Sequence, residues 1–421
     1  MWVLIKPSPL NGELTALPAK ADAQRKLICA ALADKPTFIS PAPVGGDIEA
    51  TADCLYQLGA SFVAQDNGLL VTPLGHANAS PLLDCRESGA SLRFLLPLTA
   101  VLTEAAAFKG AGRLPARPLS ELISALHAHG VNFNTTKLPF DISGRLRGGL
   151  YCLPGHISSQ YISGLLFALP LAKEDSEIRL TTPLQAPGYV QMTLAALKKF
   201  GIKIQQKEQS FYIAGRQSYI SPGRIMLEGD WSNAAFFLAA GALAGPVRIT
   251  GLNAASFQPD KDILPLLTAF GAQVEWRENM VTVSRGSLGG QEIDIAAIAD
   301  LAPVLAVVGA LAGERTILKN AARLRHKESD RLHSIFSLLF SLGARVQKSR
   351  DSLIIEGQEQ LSGGEIRSYS DHRIVMAAAL AACACRQDVI IRGAEAVKKS
   401  YPGFFADYRD LGGYAINVLP A

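Results

Sequence analysis

With 421 residues the chain exceeds what one hydrophobic core usually serves, so two or three domains are expected, and 48% hydrophobic against 19% charged residues excludes a disordered chain. Lys and Arg (41) nearly balance Asp and Glu (37), and a net charge of +4 is too small and too dispersed for a nucleic-acid-binding surface, so any anion site must be local. Six scattered cysteines show no Cys-x-x-Cys pair and no His at zinc-ligand spacing, which points to a reduced cytosolic protein without structural zinc.

The N-terminus, Met1 to Pro7, lacks a basic region followed by a long apolar stretch and does not read as a signal peptide. The first strand, before Lys20, is expected to cross back to the C-terminal lobe. Lys20-Ala21-Asp22-Ala23-Gln24-Arg25 sits directly before the apolar helical stretch Leu27 to Leu32, so Lys20 and Arg25 lie around a helix start. Cations there oppose the helix dipole and become favourable when an anion binds, although two solvated surface cations would look the same. In Glu87-Ser88-Gly89-Ala90-Ser91-Leu92-Arg93, small residues let backbone approach a ligand before an apolar helix from Phe94 to Leu102. Arg113 to Pro118 presents Arg117 ahead of another helix, with Pro118 suited to its first turn. Ser158-Ser159-Gln160 precedes a helix from Tyr161 to Ala172, which these side chains can cap or leave for a phosphate.

Near the midpoint, Glu228-Gly229-Asp230 is a plausible hinge, dividing residues 19–228 from 1–18 plus 229–421. The run from Leu301 to Gly313 falls short of the roughly 20 residues that span a bilayer and contains Pro303, so it reads as a buried helix. In His326-Lys327-Glu328-Ser329-Asp330-Arg331, helical spacing puts Lys327 and Glu328 beside Arg331, either as a ligand site or as an ion-paired solvated face. Asp371-His372-Arg373 caps a helix from Ile374 to Ala384, and Lys398-Lys399 follows the next strand.

A helix end, a Gly and an alternating strand recur six times, at Gly59, Gly130, Gly201, Gly271, Gly343 and Gly412, about seventy residues apart. Before these glycines apolar residues keep helical spacing, as in Leu119, Leu122, Ile123 and Leu126; after them the period is two, as in Ile202-Lys203-Ile204. The reading is an α/β protein of six units, three to a lobe, in which most of the cations named above cluster at helix starts.

These residues, in this order and at this spacing over about 15 to 405, resemble the enolpyruvyl transferase family, and within it the EPSP synthases. The resemblance implies a two-lobed inside-out α/β barrel of six βαβαββ repeats, with a cleft that closes over its substrates. It implies that phosphoenolpyruvate meets Lys20, Gly89, Arg117, Gln160, Arg331, Arg373 and Lys399. Shikimate 3-phosphate would meet Lys20, Arg25, Ser158, Ser159, Gln160, Tyr189, Asp260 and Lys327. Two substrates with two phosphates and two carboxylates call for several converging cations. Proton transfers are assigned to the carboxylates Asp260 and Glu328, with Lys20 stabilising charge. No metal or organic cofactor, no nucleic acid and no membrane is implied, and a monomer is expected.

The sequence departs from the family pattern at Ala21, Ala90 and Ala186, each lacking a hydroxyl, and at Arg323, where some members have Asn. Those departures keep two other readings open: a transferase for a different acceptor, and a non-catalytic anion-binding relative. The missing Cys in the loop Gly110 to Pro115 argues against a UDP-sugar-specific relative.

Overall fold

The computed structural model describes residues 1–418. The chain divides into two compact units, one of Met1–Leu17 with Glu228–Ala421 and one of Pro18–Leu227, called here the C-terminal and N-terminal units. Each has its own buried core.

Six four-stranded sheets share one topology, in which the first two strands are parallel and the remaining pairings antiparallel. Twelve α-helices among the described residues accompany them, two per sheet. The N-terminal unit carries α1 (Lys20–Ala31), α2 (Gly46–Leu58), α3 (Gly89–Leu102), α4 (Ser120–Ala128), α5 (Ser159–Ala168) and α6 (Pro187–Lys199). The C-terminal unit carries α7 (Trp231–Leu243), α8 (Ile263–Phe270), α9 (Ala302–Ala310), α10 (Arg331–Ser341), α11 (His372–Ala382) and α12 (Phe404–Asp410). In each repeat the odd-numbered helix is the more deeply buried: every residue of α9 and every residue of α11 is buried. The even-numbered helix is amphipathic and leaves one face exposed; only three residues of α8 are buried.

Each even-numbered helix ends at one of the six glycines noted in the sequence, and all six have positive φ, from 79° at Gly201 to 115° at Gly59. A Cβ is strained in that left-handed conformation, so Gly is the residue that lets the chain turn from helix into the third strand of each sheet.

Three sheets are completed out of sequence order. Strand Gly12–Thr15 pairs in parallel with Val247–Thr250 in the C-terminal unit, and strand Arg224–Met226 pairs in parallel with Thr37–Ser40 in the N-terminal unit. The strand Trp2–Lys6 lies between Val389–Arg392 and Tyr414–Val418. The first strands thus belong to the C-terminal unit.

Helix starts differ from the sequence expectations in instructive ways. The helix expected from Phe94 begins at Gly89, because the Ser88 hydroxyl accepts from Ser91 N and caps it. The helix expected from Tyr161 to Ala172 runs over Ser159–Ala168, continued by the 3₁₀ turn Leu169–Leu171. Pro118 lies two residues before α4. Lys327 and Glu328 lie in the loop ahead of α10, whose cap is Asp330, so helical spacing is not what brings Glu328 to Arg331. No helix among the described residues is long and apolar enough to cross a membrane.

Candidate active site

In the N-terminal unit the candidate site arginines are held mainly by neutral groups. Arg25, in the second turn of α1, is buried and donates from Nε to Thr193 Oγ1 (2.9 Å), from Nη1 to the Ala21 carbonyl (2.6 Å) and from Nη2 to the Tyr189 carbonyl (2.9 Å). Its guanidinium also sits 5.1 Å from the Phe94 ring centroid and 6.0 Å from that of Tyr189. Five N–H groups less these three hydrogen bonds leave one N–H on each terminal nitrogen for a ligand. Burial lowers its pKa to about 10, with Tyr189 and Asp22 opposing the shift, so Arg25 is charged at neutral pH. A bound anion would recover solvation that Arg25 has lost.

Lys20 opens α1, and its Nζ lies 2.8 Å from Asp47 Oδ2 at the start of α2. Arg93, on α3, donates to Gln160 Oε1 and to the Pro118 carbonyl, both at 2.9 Å, and lies 5.7 Å from the Tyr161 ring centroid. The sequence reading used Arg93 only as a match to a motif; here it orients Gln160. Gly89 has a concrete reason to be Gly: a Cβ there would lie 2.7 Å from Nη1 of both Arg93 and Arg117. Arg93, Arg117, Gln160 and Gly89 therefore gather at the N-terminus of α3, where helix N–H groups already favour an anion. Ser158 caps α5 by accepting from Gln160 N (3.3 Å), with Ser159 as the first helical residue.

Of the residues without hydroxyls, Ala21 contributes its carbonyl to Arg25, Ala90 packs partly buried against the core, and Ala186 precedes α6 without a side-chain cap.

In the C-terminal unit the cations are held by carboxylates. Arg331 is fully buried and donates to Asp371 Oδ2 (3.0 Å), Asp300 Oδ1 (2.7 Å) and Glu328 Oε2 (2.6 Å). Burial alone would lower its pKa, but Asp371, Glu328 and Asp300 raise it. Asp371 also caps α11 through Arg373 N (3.0 Å) and accepts from Ser329 Oγ (3.0 Å). Lys327 Nζ reaches Asp300 Oδ1 at 3.1 Å; burial lowers its pKa while Asp300 pulls it up. Arg373 donates to the Asp300 carbonyl (3.1 Å) and the Ser232 hydroxyl (2.7 Å), with Asp300 Oδ2 at 3.6 Å.

Asp300, which pairs with Lys327, Arg331 and Arg373, is the member of this cluster that the sequence reading missed. Burial pushes its carboxyl up, yet Arg373, Lys327 and Arg331 together hold it well below the usual aspartate range. Its side chain is 19% exposed and that of Glu328 14%, against none for Arg331, so these two carboxylates are the ones with surface to offer a reactant. Asp300 stands alone in the apolar stretch leading into α9, and an isolated Asp beside a buried helix was the available signal.

Asp260 lies in the 3₁₀ turn Pro259–Asp262, 3% exposed, and accepts a short hydrogen bond from Ser232. Lys399 closes the 3₁₀ turn Ala394–Lys399, and the carbonyl of the next residue, Ser400, accepts from Asn233 on α7.

The family model for EPSP synthase (3-phosphoshikimate 1-carboxyvinyltransferase) matches residues 4–408. A 3-phosphoshikimate 1-carboxyvinyltransferase of Clostridium perfringens is 40% identical over 417 residues, covering 98% of both chains. One of Clostridium kluyveri is 41% identical over 418 residues, covering 98% of this chain and 97% of the relative. The solved EPSP synthase of Acinetobacter baumannii superposes with a TM-score of 0.82 at 25% identity, covering 99% of this chain and all of the other. With the repeated fold and both groups of cations in place, these matches show that the chain belongs to the EPSP synthase family.

Proposed function

We propose that the chain transfers the enolpyruvyl group of phosphoenolpyruvate to the 5-hydroxyl of shikimate 3-phosphate and releases inorganic phosphate. The acceptor oxygen adds to C2 of phosphoenolpyruvate while C3 gains a proton, giving a tetrahedral ketal. Loss of phosphate from C2 with loss of a C3 proton then restores the double bond on the acceptor.

The carboxylate and cation cluster of the C-terminal unit carries this reading. Glu328 and Asp300 occupy guanidinium positions on Arg331 that a substrate carboxylate would also suit. When phosphoenolpyruvate takes such a position on Arg331 and Arg373, those carboxylates are released to handle protons at the acceptor hydroxyl and at C3. Lys20 and Lys399 stabilise charge on the phosphate and the developing ketal, and Lys327 meets shikimate 3-phosphate.

The N-terminal unit supports the phosphorylated acceptor. Arg25 with its remaining N–H groups, the Ser158 and Ser159 cap of α5, Gln160 and Tyr189 suit a phosphate and ring hydroxyls. Arg117 at the α3 N-terminus suits the phosphate of phosphoenolpyruvate, with Gly89 leaving it room. The test is phosphate release from phosphoenolpyruvate with shikimate 3-phosphate as acceptor, beside an acceptor-free control. Acceptor-dependent release is expected; binding of phosphoenolpyruvate without release would indicate a different acceptor, and binding of neither substrate would overturn the reading.

A further inference from the structure

Ser232 and Asp260 of the C-terminal unit have no part in the steps above, although the resemblance assigned Asp260 to proton transfer and to shikimate 3-phosphate and Ser232 touches Arg373, assigned to phosphoenolpyruvate. Ser232 lies in the first turn of α7, whose cap is Asp230, and Asp260 lies in the 3₁₀ turn ahead of α8. A guanidinium has donors only, so the 2.7 Å contact runs from Arg373 Nη2–H to Ser232 Oγ. The hydroxyl then sends its single proton to Asp260 Oδ2. The direction of the chain from Arg373 through Ser232 to Asp260 is thereby fixed.

Asp260 is unusually placed for a carboxylate. It is 3% exposed, and its second oxygen, Oδ1, meets no hydrogen-bond partner among the described residues. The charged groups facing it are Asp300 ahead of α9, Arg373 on α11 and Asp230 at the cap of α7. Burial first, and Asp300 next, raise its pKa from 3.8 to about 6, against the pull of Arg373 and Ser232. Arg373 is meanwhile fixed at its other terminal nitrogen by the Asp300 carbonyl. At Nη2 the Ser232 hydroxyl is the hydrogen-bond acceptor at 2.7 Å, with Asp300 Oδ2 a longer ion-pair partner of the same nitrogen at 3.6 Å.

We propose that Asp260 is a positioning residue for Arg373: through the Ser232 hydroxyl it orients the guanidinium for the carboxylate of phosphoenolpyruvate, and its charge sets how tightly that carboxylate is held. This rests on the assignment of Arg373 to phosphoenolpyruvate made above. A neutral Asp260 still accepts the hydrogen bond from Ser232, so the orientation survives protonation. What changes is the buried negative charge two hydrogen bonds from the guanidinium, which competes with an incoming carboxylate only when Asp260 is ionised.

The experiment measures KM for each substrate between pH 5 and 8.5 in wild type, Ser232→Ala, Ser232→Thr and Asp260→Asn, with melting temperatures alongside. Losing a hydrogen bond to a charged group makes Ser232→Ala raise KM for phosphoenolpyruvate roughly tenfold, while that for shikimate 3-phosphate moves less than about twofold. Ser232→Thr keeps the hydroxyl and restores the value. Asp260→Asn is neutral at every pH and keeps an acceptor, so its KM for phosphoenolpyruvate lies below that of wild type above about pH 6 and meets it below. Titration of the substrate phosphate is common to both proteins and cancels in the ratio.

A purely structural role would lower the melting temperature and move both KM values together. The proposal is overturned if the wild-type to Asp260→Asn ratio stays flat across the pH range, or if Ser232→Ala leaves KM for phosphoenolpyruvate unchanged. If the serine variants fail to fold, the pH ratio decides alone. Should wild type neither turn over nor bind phosphoenolpyruvate by calorimetry, the functional reading fails as well, which separates the two failures.

Discussion

The two units solve the problem of burying cations in opposite ways. In the N-terminal unit Arg25 and Arg93 are held by backbone carbonyls, a threonine hydroxyl and a carboxamide, with the Lys20–Asp47 and Lys26–Asp22 pairs as exceptions. In the C-terminal unit Lys327, Arg331 and Arg373 share Asp300, Glu328 and Asp371. Neutral anchors orient a guanidinium without cancelling its charge, which suits a permanent phosphate. Carboxylate partners cancel the charge and can exchange with a ligand, which suits a place where protons move.

The largest effect that would test this contrast is at Asp300. Asp300→Asn removes the charge shared by Lys327, Arg331 and Arg373, and turnover in the phosphate-release assay is expected to fall by at least ~10²-fold, the lower end for a positioned proton-transfer group. If Asp300 were only a counter-charge, the melting temperature would fall and turnover would not.

Arg25→Lys probes the other unit. It keeps the charge and loses the fork, so KM for shikimate 3-phosphate is expected to rise roughly 10- to 100-fold, because a lysine cannot replace a guanidinium anchored at three nitrogens. An unchanged KM would mean that charge alone matters there, and the contrast between the units would dissolve.

The stability of the C-terminal unit should carry the mark of its buried acids. Asp260 has its folded pKa raised from 3.8 to about 6, so the folded state binds its proton more tightly than the unfolded chain does. That contribution is present below about pH 4 and is lost as pH rises through about 6. Relative to Asp260→Asn, wild type is expected to lose roughly 2–3 kcal/mol between pH 4 and 7 in denaturant unfolding, at 1.36 kcal/mol per pKa unit. Asp300 has the opposite sign: its depressed pKa contributes stability above the ordinary aspartate range that is lost only in stronger acid.

The smallest effect is expected at Gly89→Ala. The new Cβ would meet two guanidinium ends at 2.7 Å, so Arg93 and Arg117 must shift. Affinity for phosphoenolpyruvate should drop roughly tenfold, while unfolding changes by less than about 1 kcal/mol, because Ala is the better helix former. A large stability loss with normal affinity would place the strain in the helix instead of the ligand site.

Much of the fold was legible because it repeats. Six glycines that must adopt positive φ leave a period that no single helix or strand would reveal. The exchange of strands Gly12–Thr15 and Arg224–Met226 was only half legible, since pairing in parallel at a distance leaves no local trace. At the site, charged residues at helix starts were visible, and their neutral holders were not: Thr193 and the Pro118 carbonyl have nothing in sequence to mark them. Asp300 was hidden for a related reason. Its three partners lie 27, 31 and 73 residues away, so only the folded chain shows that it binds them.

The strand Trp2–Lys6 has a consequence for biosynthesis. Its partners are residues 389–392 and 414–418, so the strand is made nearly four hundred residues before the segments it pairs with. At about 5–20 residues per second, it waits roughly 20–80 s with Trp2, Val3, Leu4 and Ile5 unsheltered. The N-terminal unit, by contrast, is continuous from Pro18 to Leu227 and can fold while the rest is still being made. A growing chain can therefore carry a finished N-terminal unit tethered to a strand that still lacks both neighbours.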